Sequence, residues 1–137
     1  MQGRTFNIPA TGQTIDYYEV DIKPVSYQIY PNLGKTRLVG YDGQVPGPTF
    51  HMTKGREAVV RFINHADRAN SVHLHGSYSK TILFLLPTAK GFNILLFVGR
   101  APFDGWADDT TAPGQYKDYY YPNNQNARTL WYHVRLS

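Results

Sequence analysis

His73 and His75, in "NSVHLHG", stand one residue apart in a stretch with the composition of a β-strand. In an extended chain, residues two apart point to the same side, about 6.6 Å apart along the strand. Two imidazoles placed this way can hold one metal ion between them or serve two neighbouring ions. Neutral imidazole suits Cu, Zn, Fe and Ni, so the pair alone selects no metal, and a structural or surface pair of histidines is an equal reading. His133, in "LWYHVRLS", lies on a second apparent strand and becomes a third candidate ligand if strand pairing brings it beside the first two. His51 and His65 sit in turn-like contexts and read as surface residues. The chain has no Cys, which excludes a disulfide framework and a thiolate metal site alike.

The elements that must position these histidines read as strands. A chain of 137 residues has the length of one domain with one core. Eleven Tyr, seven Phe, twelve Gly and nine Pro describe aromatic strands cut by frequent turns, and the fold class expected is all-β. "TIDYYEVDIKPVSYQIYP" reads as extended, with Pro24 and Pro31 as punctuation. Asp42-Gly43 and Pro46-Gly47-Pro48 predict tight turns between Val39 and Phe50. "EAVVRFIN", "NSVHLHG", "YKDYYYP" and "ARTLWYHVRLS" are further strand candidates, and short strands separated by turn signals predict a Greek-key β-sandwich. The net charge of +4 comes from scattered Lys and Arg. No block resembles a nucleic-acid-binding arm, so no nucleic-acid partner is expected.

Residues 80–99, "KTILFLLPTAKGFNILLFVG", break this pattern. Twenty largely apolar residues are long enough to cross a bilayer. Pro87, Lys90, Gly91 and Asn93 occupy the middle, however, and a Lys at the bilayer centre alone costs about 3 kcal/mol. No membrane association is expected. Ile82 to Leu86 and Ile94 to Val98 instead predict a buried hairpin around "PTAKG".

Four ordered stretches carry a family likeness. "LVGYDGQVPGPTF", "VVRFINHADRANSVHLHGSYS", "RAPFDGWADDTTAPGQYKDYYYPN" and "ARTLWYH" together resemble the first cupredoxin (plastocyanin-like) domain of multicopper oxidases, of the fungal bilirubin oxidase and laccase kind. The likeness covers the chain except residues 80–99 and the last four. It implies a cupredoxin-like Greek-key sandwich over 1–137. It also implies a copper enzyme that oxidises phenolic or tetrapyrrole donors one electron at a time and reduces dioxygen to water at a trinuclear copper cluster. Carried over by motif, His73 is similar to the type 2 copper ligand, and His75 and His133 to type 3 ligands. Asp104, in "FDGW", is similar to the acidic residue that delivers protons near the cluster. Reduction of dioxygen to water consumes protons, so a carboxylate within relay distance has a task. An Asx-turn residue before Gly105 is its structural alternative.

The departures are as specific as the likeness. The family continues "WYHDH" where this chain has "WYHVRLS", which puts Arg135 at the position of a further ligand. Arg has no lone pair to give a metal. A blue type 1 copper site needs a Cys thiolate, which is absent here. Deleting residues 80–99 joins Ser79 to Arg100 and restores continuous family sequence, "HLHGSYSRAPFDGW". Twenty codons keep the reading frame, and Ser79-Lys80 can encode a GTAAG splice donor. The segment therefore reads as a translated intron, and residues 134–137 as a second one read to a stop. The expectation is a sandwich incomplete at its C-terminus that tends to aggregate. By itself the chain is expected to lack oxidase activity, which leaves a copper-binding module or a translated fragment as the alternatives. Relatives are typically secreted, whereas "MQGRTFNIPATGQ" carries no export signal, so the sequence assigns no compartment.

Overall fold

The structure, a computed structural model, describes residues 4–8, 13–76, 82–87, 93–98, 105 and 108–136, with side chains described at 14–76, 105 and 108–134. These residues form strands and turns, with no helix among them. The strands are β1 (Arg4–Ile8), β2 (Gln13–Tyr27), β3 (Thr36–Tyr41), β4 (Glu57–Asn64), β5 (Asn70–His75), β6 (Ile82–Pro87), β7 (Asn93–Val98), β8 (Tyr116–Tyr121) and β9 (Trp131–Leu136). The all-β expectation holds. No helix of the described residues is long and apolar enough to cross a membrane.

The larger sheet runs β1-β2-β4-β8, with β3 against the second half of β2. Its centre is β4, parallel to β2 and antiparallel to β8. The sequence of β4 explains that place. Ala58, Val60, Phe62 and Asn64 are buried, while Glu57, Val59, Arg61 and Ile63 between them are only half-buried, as a strand period of two requires. On the outer face Arg61 meets its cross-strand neighbour Asp118 with two hydrogen bonds, at 2.7 and 2.9 Å, and lies 4.0 Å from the Tyr116 ring centroid.

Strand β2 runs straight through Pro24. Its pairing to β4 ends at Ile22↔Asn64, so the missing Pro24 N–H falls beyond that ladder. The predicted turn at Asp42-Gly43 is a tight one. Both residues are left-handed, with φ of 51° and 76°, and Tyr41 and Gln44 exchange two backbone hydrogen bonds across it. Paired positive φ values identify a type I′ hairpin, whose twist matches that of the strands it joins.

A second, two-stranded sheet pairs β5 with β9. Its inner face packs on the larger sheet through aromatic rings. Tyr132 of β9 stands 4.7 Å from Tyr41 and 5.4 Å from Phe50, centroid to centroid, and its hydroxyl donates to the Pro48 carbonyl at 2.6 Å. The backbone N–H of Val72 in β5 donates to the Tyr119 hydroxyl of β8 at 3.0 Å. Edge-to-face contacts of Phe62 with Tyr41 and Tyr119 complete the lattice. A cavity of about 1020 Å³ opens beside it, lined by Leu38, Phe50, Phe62, Leu74 and Val134 among others.

The two apolar pieces of the 80–99 segment form β6 and β7, an antiparallel pair running from Ile82↔Val98 to Pro87↔Asn93. The expected hairpin is present, while its expected burial lies outside the described side chains. It forms a separate sheet that pairs with neither of the others among the described residues. The tail after His133 continues β9, with Val134 opposite Val72, Arg135 opposite Ser71 and Leu136 opposite Asn70.

Candidate metal centre

The β5–β9 pairing brings the three candidate histidines to one face. His73 is directly opposite His133, and His75 is opposite Trp131. Side chains alternate along each strand, so Val72 and Leu74 in β5 and Tyr132 and Val134 in β9 join the core. His73, His75, Trp131 and His133 therefore share the other face. Burial by the inner set fixes the register, since a slip of one residue would turn the histidines inward.

The ring centroids are 5.3 Å apart for His73 and His133, 5.6 Å for His73 and His75, and 6.1 Å for His75 and His133. One ligand nitrogen from each ring lies within 4.8 Å of the other two. Two nitrogens bound to one ion at about 2.0 Å can be at most about 4 Å apart. A spread of 4.8 Å is thus one that small ring rotations close around one ion, or that neighbouring ions share. The chemistry of the set is suitable as well, because three neutral imidazoles form a nitrogen-donor site for copper or zinc. His75 is exposed, and His73 and His133 are half-buried, which leaves the face accessible.

Gly105 supports this face from the edge of β5. It has φ of 65°, and a Cβ there would overlap the Val72 carbonyl and lie 2.7 Å from the His73 backbone nitrogen. Only glycine permits an approach this close. The Ser71 hydroxyl donates to the Gly105 carbonyl at 3.2 Å. Asp104, the residue before it, lies outside the described residues.

His51 and His65 are exposed and stand apart from the cluster, as expected, and His65 Nε2 lies 3.2 Å from Asp21 Oδ1. The residue that sequence reasoning missed is Trp131. Its indole stacks on His75 at 4.8 Å with 19° between planes, and on His133 at 4.5 Å with 27°. The signal was there in "WYHVRL", where alternation puts Trp131 on the same side as His133.

The multicopper oxidase family model matches residues 24–83. Over 129 residues the chain is 56% identical to bilirubin oxidase of Albifimbria verrucaria, covering 94% of this chain and 19% of that protein. It is 29% identical over 128 residues to a laccase of Bacillus subtilis, covering 85% of this chain and 25% of the laccase. It therefore spans about a fifth to a quarter of the length of these curated relatives. Among solved structures, one multicopper oxidase superposes with a TM-score of 0.71 at 23% identity, over 98% of this chain and 40% of that one. Another, from Pseudomonas thermotolerans, gives 0.63 at 27% identity, over 89% of this chain and 25% of its own. With its cupredoxin-like strands and its face of three imidazoles, the chain belongs to the multicopper oxidase family, homologous to bilirubin oxidase and the laccases, a family that implies copper.

Proposed function

We propose that His73, His75 and His133 are copper ligands of a trinuclear cluster, His73 to the type 2 ion and His75 and His133 to the type 3 pair. The longer protein to which this domain corresponds oxidises phenolic or tetrapyrrole donors one electron at a time and reduces dioxygen to water. The observation that carries the reading is the face of three imidazoles whose ligand atoms lie within 4.8 Å of one another. Copper bound there supplies the one-electron redox chemistry that amino-acid side chains lack.

The chain's own residues then have defined tasks. The three imidazoles offer lone pairs only when neutral, so protons compete with the metal for the same atoms. Asp104 acts as a proton donor to reduced oxygen, because the reaction consumes protons at the cluster. The packing of its neighbour Gly105 against the backbone at His73 supports that role. Arg135 offers no ligand atom where the family places one, and the chain has no Cys for a type 1 site. The domain alone therefore binds copper without oxidising a donor. We take residues 1–137 as one cupredoxin-like domain carrying an inserted segment at 80–99.

Titration of the purified chain with Cu(II), followed by calorimetry at several pH values, tests this. Tight binding at pH 8 that weakens toward pH 5, and is lost on substituting His73 or His133 by Ala, is the expected result. Binding indifferent to all three histidines would remove the copper reading. Oxidation of a phenolic dye by the copper-loaded chain would remove the claim that this domain is catalytically incomplete.

A further inference from the structure

We propose that Trp131 is a positioning residue that clamps the imidazoles of His75 and His133 as a pair; this rests on the copper reading above. The four rings occupy the corners of a cross-strand ladder, with His73 opposite His133, His75 opposite Trp131, and Trp131 diagonal to His73. The indole is stacked on both its direct neighbours, 19° from the plane of His75 and 27° from that of His133. The three histidine pairs, in contrast, are inclined to one another by 41° to 81°. The indole is thus the element on which both ligand rings stack, each held to within 27° of its plane.

Exposure gives the second argument. Trp131 is 57% exposed. An indole on a sheet face with over half its surface in water contributes little to the core, and among the described residues it stacks on the two imidazoles. Metal-bound imidazoles are usually oriented by a hydrogen bond from the second ring nitrogen to a carboxylate or carbonyl, and losing that partner typically costs 10- to 100-fold in metal affinity. Among the described residues the contact of this kind at His133 is a long one, Nδ1 to the Val134 carbonyl at 3.4 Å. Stacking restricts rotation about the Cβ–Cγ bond of both rings and so reduces the entropy lost when a metal fixes them. Because the same indole serves both rings, it couples His75 to His133 as one preformed unit.

The test uses the full chain and Cu(II) alone, with calorimetry for affinity and electron paramagnetic resonance for the ligand field. Trp131→Phe keeps a flat ring at the site, whereas Trp131→Leu and Trp131→Thr remove it while leaving a strand-compatible side chain. The inference expects the Phe variant to bind within about threefold of the parent, and the Leu and Thr variants to bind about tenfold more weakly. It also expects their resonance spectra to show more than one Cu(II) environment. A resonance spectrum and affinity unchanged in Trp131→Leu would overturn it, as would a Phe variant no better than Leu. His73→Ala and His133→Ala are measured alongside. If they weaken binding and Trp131→Leu does not, the clamp fails and the copper site stands; if none of these changes affects binding, the copper site itself fails.

Discussion

Asp16 is an acidic side chain only 4% exposed, and its carboxylate accepts a hydrogen bond from Arg56 Nε at 2.7 Å. A carboxylate that far from water depends on its charge-assisted partners, and losing one leaves much of its desolvation cost uncompensated. Arg56→Ala is expected to destabilise the chain by about 2 kcal/mol, read as a lower urea midpoint. Asp16→Asn in the same background should recover part of the loss, because a neutral amide is cheaper to bury. An Arg56→Ala chain that unfolds at the parent's urea concentration would contradict the account. Gly105→Ala addresses the metal face directly. The left-handed φ of 65° and the overlap with the Val72 carbonyl leave no room for a methyl group, so a cost of at least about 2 kcal/mol is expected. The loop must also move off the β5 edge, which should lower Cu(II) affinity; unchanged affinity in a folded Gly105→Ala chain would show that Gly105 does not hold the His73 segment in place.

Between elements, the Tyr119 hydroxyl ties β5 to the larger sheet. Tyr119 and Val72 are both 1% exposed, and the Val72 N–H has the Tyr119 oxygen as its partner. Tyr119→Phe removes that acceptor and strands a buried donor, which costs about 1–3 kcal/mol. The Val72 amide should exchange with solvent faster than its neighbours in β5; retained protection would mean that another acceptor takes over. The β6–β7 hairpin presents the opposite situation. It forms its own sheet, pairs with neither of the others among the described residues, and is built from "ILFLLP" and "NILLFV". Both strands of a two-stranded sheet are edges, and apolar edge strands favour pairing between chains. Deleting residues 80–99 and joining Ser79 to Arg100 should therefore reduce light scattering and raise the melting temperature. A deletion variant that aggregates as readily as the parent would assign the association to some other surface.

At the scale of the molecule, the tyrosines make stability sensitive to alkali. Burial, and then the hydrogen bond to Glu57, push the Tyr120 phenol up to about 12. Burial also raises Tyr132, with the Asp42 charge acting in the same direction, and raises Tyr41 with added repulsion from Tyr132. A phenol whose pKa is higher folded than unfolded contributes stability that is complete below the unfolded value of about 10 and is lost as pH rises through the folded value. The urea midpoint should thus be steady up to about pH 9.5 and fall between about pH 10 and 12. Tyrosinate absorbance should appear together with loss of strand signal. Ionisation of all eleven tyrosines near pH 10 in a chain that stays folded would refute this.

Much of the architecture could be read from local pattern. The alternation in "EAVVRFIN" predicts a half-buried strand, and Asp42-Gly43 predicts a turn, because strand period and backbone sterics act over a few residues. His73 and His75 are legible as a pair for the same reason: two residues on one strand share a side wherever that strand lies. Nothing local places His133 opposite His73 or Trp131 opposite His75, because the paired residues stand 60 and 56 positions apart in the chain. The sequence by itself determined the β class, the family likeness and the identity of the ligand candidates. The tertiary structure decided which side chains meet, because burial of Val72, Tyr132 and Val134 against the larger sheet selects one register of β5 on β9. That register assembles three imidazoles and an indole on the opposite face.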